Sequence, residues 1–515
     1  MLRLLTNIPP GIHLLLWVVI PLLRFPSFHA ELFLPEESLY LLNAQQLGGG
    51  AQLYTDAWLA GPPLMVWIYY FFHSLFGSAA LTLIRVFTCM YIYLSAVYFT
   101  GMIGQYKPFR KHVGLMSLLF VLLVSVPWYG QELSASLFVL LPMCISFHSM
   151  LQLGDSRTQN FARMFQVGLW MTVCILATYK SVFILLGVLV AYFSLRSPRL
   201  EELASMFGGF VTCLFIVLVP LFFSGSLSDF WDLGVLYYWD RVGISDSLVY
   251  QYDVGTTIRA WAMSWGLILF LSTVGFMHFH AKFYSYVASI RAVDVTMVVW
   301  LLSVTMMLLF KWKRLGLPDF TLLVPPVVFY ASQTFDFRLI RKLRVLLVLG
   351  TMAVPLYLYG SYAGIRFPET FSWIQPTEEA KWRHGGTLDA LTQADPIYQA
   401  IRSVDAPNGV WIMNDQPGMY HSLDKTCANK YTDFRIAYYK FPALPGHSQV
   451  SLLSKTEQDR QIFQTFAENP PDLILDPWEN FPYLQQRFPS LFSSYQAKTI
   501  GKYRVYSKAE IGEGL

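Results

Sequence analysis

Residues 34–77 read LPEESLYLLNAQQLGGGAQLYTDAWLAGPPLMVWIYYFFHSLFG (Leu34–Gly77). One apolar run precedes this stretch and many follow it. It therefore reads as the first long non-cytoplasmic loop of a multispanning membrane protein. Pro35 precedes the adjacent carboxylates Glu36 and Glu37, and Tyr40, Asn43, Ala44 and Leu47 then recur at helical spacing. That pattern predicts an interfacial helix with the acidic pair at its positive end. Pro62-Pro63 predicts the start of a second amphipathic helix.

Composition supports a membrane reading outward from this loop. Of 515 residues, 55% are hydrophobic and only 14% charged, against about 25% charged in soluble domains. Mean hydropathy is +0.43. A net charge of +4 is too small to argue for nucleic acid. Four of the five cysteines (Cys89, Cys144, Cys174 and Cys213) lie in apolar runs, and Cys427 stands alone in the polar tail, which excludes a disulfide framework there. Gly48-Gly49-Gly50 is not followed by a helix carrying Lys, so it reads as a turn and not as a phosphate cradle. No His/Cys/Asp/Glu set has metal-ligand spacing, and neither a metal nor a cofactor is expected.

Spans of about 20 apolar residues are predicted at 11–27, 79–104, 112–128, 133–151, 164–179, 181–195, 203–223, 261–281, 292–310, 318–334 and 343–361. This gives an α-helical polytopic chain of about eleven helices. The clusters Lys107/Arg110/Lys111, Arg157/Arg163, Arg196/Arg199, Lys282/Arg291 and Arg338/Arg341/Lys342/Arg344 then all fall on the cytoplasmic side. That result requires the apolar run 164–195 to break at Lys180. Lys180 and the segment Lys311-Trp-Lys313-Arg314 are left on the outer side. A lipid phosphate is one anionic reason for cations there, and headgroup snorkelling is the other. Trp231, Tyr237, Tyr238, Trp239, Tyr250 and Tyr252 of the outer loop 224–260 read as an aromatic belt, with sugar stacking as the alternative.

Past residue 362 the chain turns polar and Pro-rich. Runs at Gly409–Asn414, Asp472–Leu475 and Tyr503–Tyr506 alternate with helical stretches such as 396–404, 456–468 and 481–488, which predicts a small α/β domain on the side of the first loop. Trp411, Asp415 and Tyr420 read there as strand-end packing before function. A transmembrane module is thus expected over 1–361, with its first outer loop at 27–77, and an extracytoplasmic domain over 362–515.

The elements PEESLYLLNAQQL, Asp56-Ala-Trp58, GPPLMVWIYYFFHSLFG and Arg85 resemble the first outer loop of the GT-C glycosyltransferases. The group that they resemble is family 39, the protein O-mannosyltransferases and lipid A aminoarabinose transferases. Weaker matches follow at Gln131-Glu132-Leu133-Ser134, at LATYKSVFILLG around Lys180, and at RLGLPDFTLLVPPVVFYAS. The resemblance implies a GT-C fold and transfer of a sugar from a polyprenyl-phosphate carrier to a lipid, glycan or protein acceptor. The setting implied is the outer side of a bacterial inner membrane, in a multi-pass protein. By the same resemblance Glu36 is the base or acceptor-orienting group and Glu37 its neighbour. Lys180, Lys311 and Arg314 face the carrier phosphate, and Glu132 and Asp56 are further substrate-side candidates. The chain departs from the family where Glu36 replaces Asp, Gly61 replaces Lys, and Asp319-Phe320 replaces His-Tyr. A non-catalytic scaffold whose tail binds a partner is the first alternative. A lipid-substrate transporter is the second, disfavoured by the lack of paired repeats.

Overall fold

In the computed structural model the described residues are chiefly 8–29, 35–57, 61–125, 131–154, 156–236, 254–282, 288–310, 317–336 and 345–350. In the tail they are 400–402, 408–412, 466–467, 470–476, 481–487, 489–500 and 503–508, with a few single positions besides. The helices are α1 (Pro10–Leu23), α2 (Phe25–His29), α3 (Pro35–Gly48), α4 (Leu64–Phe76), α5 (Ala80–Gly104), α6 (Val113–Ser125), α7 (Ala135–Leu151), α8 (Arg157–Ala177), α9 (Val182–Leu195), α10 (Leu200–Phe223), α11 (Val254–Lys282), α12 (Ala288–Phe310) and α13 (Val324–Gln333). In the tail, β1 (Val410–Ile412) and β2 (Leu473–Asp476) precede α14 (Phe481–Arg487), α15 (Pro489–Phe492), β3 (Tyr495–Ile500) and β4 (Tyr503–Lys508).

Four described stretches are long and apolar enough to cross a bilayer: Leu64–Gly104, Arg157–Ala177, Leu200–Phe223 and Ile290–Leu309. The shortest of these spans about 30 Å at the α-helical rise. Shorter apolar helices run over Pro10–Leu23, Ala135–Leu151 and Tyr179–Leu195. The span expected at 343–361 falls largely outside the described residues. The break expected at Lys180 is present. Thr178 leaves the helix with φ −157° and ψ 125°, and a single 3₁₀ turn, Tyr179–Ser181, leads into α9.

The chain divides into two compact units. One comprises 1–30, 81–220 and 250–384. Its helices approach closely where glycines remove side chains. A Cβ on Gly209 of α10 would lie 2.1 Å from the Phe165 carbonyl oxygen of α8, and one on Gly168 would lie 1.8 Å from that of Met206. Gly275 of α11 meets the Tyr330 carbonyl of α13 in the same way. Close backbone approach through small residues is how helices associate where no hydrophobic drive separates lipid from protein. At the ends of α6, α11 and α13, Asp336 gathers Lys111, Lys282 (2.8 Å) and His112 (3.2 Å). Burial pushes the Asp336 carboxyl up, but hydrogen bonds from the two lysines outweigh it and hold the group down to about 2.

The second unit comprises 31–80, 221–249 and 385–515. Its sheet has the order β1-β2-β4-β3, with β1 parallel to β2 and the other pairs antiparallel. Alternation sends Val410, Ile412, Leu473, Leu475 and Val505 into one core with Ile401 and Val404. On the other face Trp411 packs on Phe466, ring centroids 4.6 Å apart, and Tyr506 on Phe481 at 4.1 Å. Leu42 of α3 is buried in the first of these cores. A helix of the first loop and the tail sheet therefore share one apolar cluster.

Candidate functional site

Within the second unit, α3 begins at Pro35 and packs against α4. Glu37 is only 1% exposed, and its carboxylate accepts a hydrogen bond from the Tyr69 hydroxyl of α4 at 3.1 Å. The Tyr40 ring lies 5.6 Å from that of Tyr69. A carboxylate expected at the membrane face is thus enclosed between two helices and oriented by a phenol. The side chain of Glu36 lies outside the described residues.

The segment linking α3 to α4 is tightly built. Asp56 is exposed, and its carboxylate accepts from the backbone N–H of Gln52 at 2.9 Å, closing a turn. Tyr54 takes φ +74°, and its buried hydroxyl donates to the Gly61 carbonyl at 2.7 Å. A bulky residue held at positive φ stores strain, at about 1–3 kcal/mol. Thr55 donates to Asp229 at 2.8 Å. Gly61 itself has φ +151°, a conformation that favours glycine. The position where the resembled family carries Lys is therefore shaped here for a residue without a side chain.

Within the first unit, the Lys180 ammonium lies 3.1 Å from both oxygens of Asp319. Asp319 stands on the 3₁₀ segment Leu317–Leu323, and Ser136 donates to its Oδ1 at 2.8 Å. Lys180 is 17% exposed by side chain and Asp319 3%. The structure pairs this cation with an internal carboxylate, a partner that the sequence reading did not assign. An aspartate alone in the apolar run LGLPDFTLL was the available signal, since an ionisable group at membrane depth calls for a partner.

Glu132 is fully buried. It follows Gln131, whose carbonyl accepts from Arg24 at 2.6 Å and Arg85 at 2.9 Å, both arginines being buried as well. Lys311, Arg314 and residues 237–253 of the aromatic loop fall outside the described residues. Among the described residues no three His, Cys, Asp or Glu side chains gather as metal ligands.

No family model and no curated protein matches the chain. Solved structures do. ArnT from Cupriavidus metallidurans bound to undecaprenyl phosphate is similar with a TM-score of 0.60 at 13% identity, over 97% of this chain and 98% of that one. ArnT from the same organism in the apo state gives a TM-score of 0.56 at 13% identity, over 96% and 98%. The likeness carries the fold, which is the GT-C fold that the first loop resembled. With its long apolar helices, the chain is a membrane protein.

Proposed function

We propose that this chain, having the fold of ArnT, is an integral-membrane glycosyltransferase that uses a polyprenyl-phosphate sugar as donor. The observation that carries the proposal is the fold match along nearly the whole chain to a protein crystallised with undecaprenyl phosphate. The acceptor's hydroxyl or amine attacks the anomeric carbon. The bond from that carbon to the phosphate oxygen breaks, and polyprenyl phosphate departs with the electron pair.

In this reading Glu36 takes the acceptor's proton, and Glu37, held by Tyr69, fixes the helix that presents it. Lys180, Lys311 and Arg314 meet the charge that grows on the leaving phosphate. Lys180 is held by Asp319 at rest, so the donor phosphate competes with that carboxylate. The transfer is placed on the outer side of an inner membrane, with the tail domain on the same side. The sugar is a hexose or pentose, and the acceptor a lipid, glycan or protein.

The glycine geometry at Gly61 and the neutralised Lys180 favour a second reading, a scaffold that retains the fold without the chemistry. Transfer of radiolabel from polyprenyl-phosphate sugars by the purified protein separates the two. Wild type should transfer, and Glu36→Gln should not. Equal transfer by both removes Glu36 as the base, while no transfer from any donor supports the scaffold.

A further inference from the structure

The loops joining α7 to α8 and α9 to α10 meet at the end of these helices away from Lys180. Arg196 donates to the Gly154 carbonyl across them at 2.9 Å. Glu202, buried in the first turn of α10, accepts from the Tyr192 hydroxyl at 2.7 Å and from Asn160 at 3.0 Å. The same carboxylate lies 3.6 Å from the Arg196 guanidinium and 3.9 Å from that of Arg199. One fixed acid thus holds two arginines in place.

Beside it opens a cavity of about 260 Å³ lined by Arg157, Thr158, Phe161, Arg199, Glu201 and Glu202. The lining itself holds two arginines and two glutamates, and Arg196, paired with Glu202 behind it, adds a third positive charge to the cluster. Arg157 forks onto both carboxylate oxygens of Glu201, but the two side chains are 75% and 52% exposed, so a phosphate arriving from water competes with Glu201 for the same guanidinium. Both helices that start here, α8 and α10, are long enough to cross the bilayer, so the cavity lies at the boundary between membrane and water. Their N-terminal ends add a favourable field for an anion. Phe161 and Leu200 next to the arginines are exposed and apolar. The cavity is smaller than the roughly 300–1,000 Å³ of typical small-molecule sites, and of a size for a headgroup.

We propose that this cavity binds the phosphodiester of an anionic phospholipid, with Arg157 and Arg199 on the phosphate and Phe161 and Leu200 against the glycerol and first acyl carbons. The site is separate from the transferase reading and stands or falls without it.

The test uses the delipidated full chain in detergent, titrated with dioleoyl phosphatidylglycerol or dioleoyl phosphatidylcholine and read by native mass spectrometry. Phosphatidylglycerol should bind in preference. Arg157→Gln and Arg199→Gln should each weaken it about fivefold. Glu201→Gln removes the competing carboxylate and should tighten binding, an effect that a merely structural ion pair would not produce. Arg157→Gln alters an exposed side chain, so its fold is retained, as thermal unfolding will verify. Undiminished phosphatidylglycerol binding in both arginine variants overturns the proposal, as does equal binding of phosphatidylcholine. Displacement of the lipid by millimolar inorganic phosphate overturns the lipid as the source of the phosphate.

Discussion

The Lys180 ammonium sits symmetrically over the Asp319 carboxylate, 3.1 Å from each oxygen, in the one-turn interruption between α8 and α9. Removing one member of a buried pair costs about 3–5 kcal/mol, whereas replacing both by apolar groups is often neutral. Lys180→Gln should therefore lower the unfolding temperature in detergent, and the double substitution Lys180→Met, Asp319→Leu should restore much of it. Sugar transfer should remain lost in both. Recovery of transfer along with stability would show that the pair is only structural.

Glu37 and Glu36 are adjacent, yet the proposed reading divides their duties. Glu37→Ala removes the acceptor of the Tyr69 hydroxyl in a buried position and should lower stability by about 1–3 kcal/mol. Glu36→Gln should leave unfolding unchanged while lowering transfer about 10²–10⁴-fold. Thermal unfolding and initial rates on the two variants decide this. A reversed pattern would make Glu37 the reacting acid.

Gly208 and Gly209 are neighbours on α10 with opposite surroundings. A Cβ on Gly208 finds nothing nearer than 3.9 Å, while one on Gly209 strikes the α8 backbone. Gly209→Ala should cost about 1–3 kcal/mol by forcing the helices apart. Gly208→Ala should stabilise by up to about 1 kcal/mol through helix propensity alone. Yield and unfolding temperature of the two variants check the contrast.

Asp336 gives the fold an acid limit. Its folded value of about 2 lies below the ordinary 3.8, so its stabilising contribution is complete above about pH 4 and is lost as pH falls toward 2. The stability difference between wild type and Asp336→Asn should be constant near neutral pH and shrink across that acid window. A difference that stays constant as pH falls toward 2 would contradict the ion-pair account.

Local chemistry wrote some of this architecture plainly. A lone lysine in an apolar run marked the break after α8, Pro62-Pro63 marked the start of α4, and three β-rich runs marked β1, β2 and β4. β3 was not marked: its sequence YQAKTI is mostly exposed at the sheet edge and lacks an apolar alternation. The Lys180–Asp319 pair joins residues far apart in sequence, and neither one's neighbours name the other. Likewise, the helical spacing of Tyr40, Asn43, Ala44 and Leu47 does not single out Leu42, and nothing in α3 names the tail strands that enclose it.

Leu42 carries a consequence for biosynthesis. A ribosome delivers α3 to the membrane long before residues 401–505 exist, so the cluster that encloses Leu42 stays incomplete for most of translation. The helix bearing Glu37 gains its final support only when strands made much later close over it.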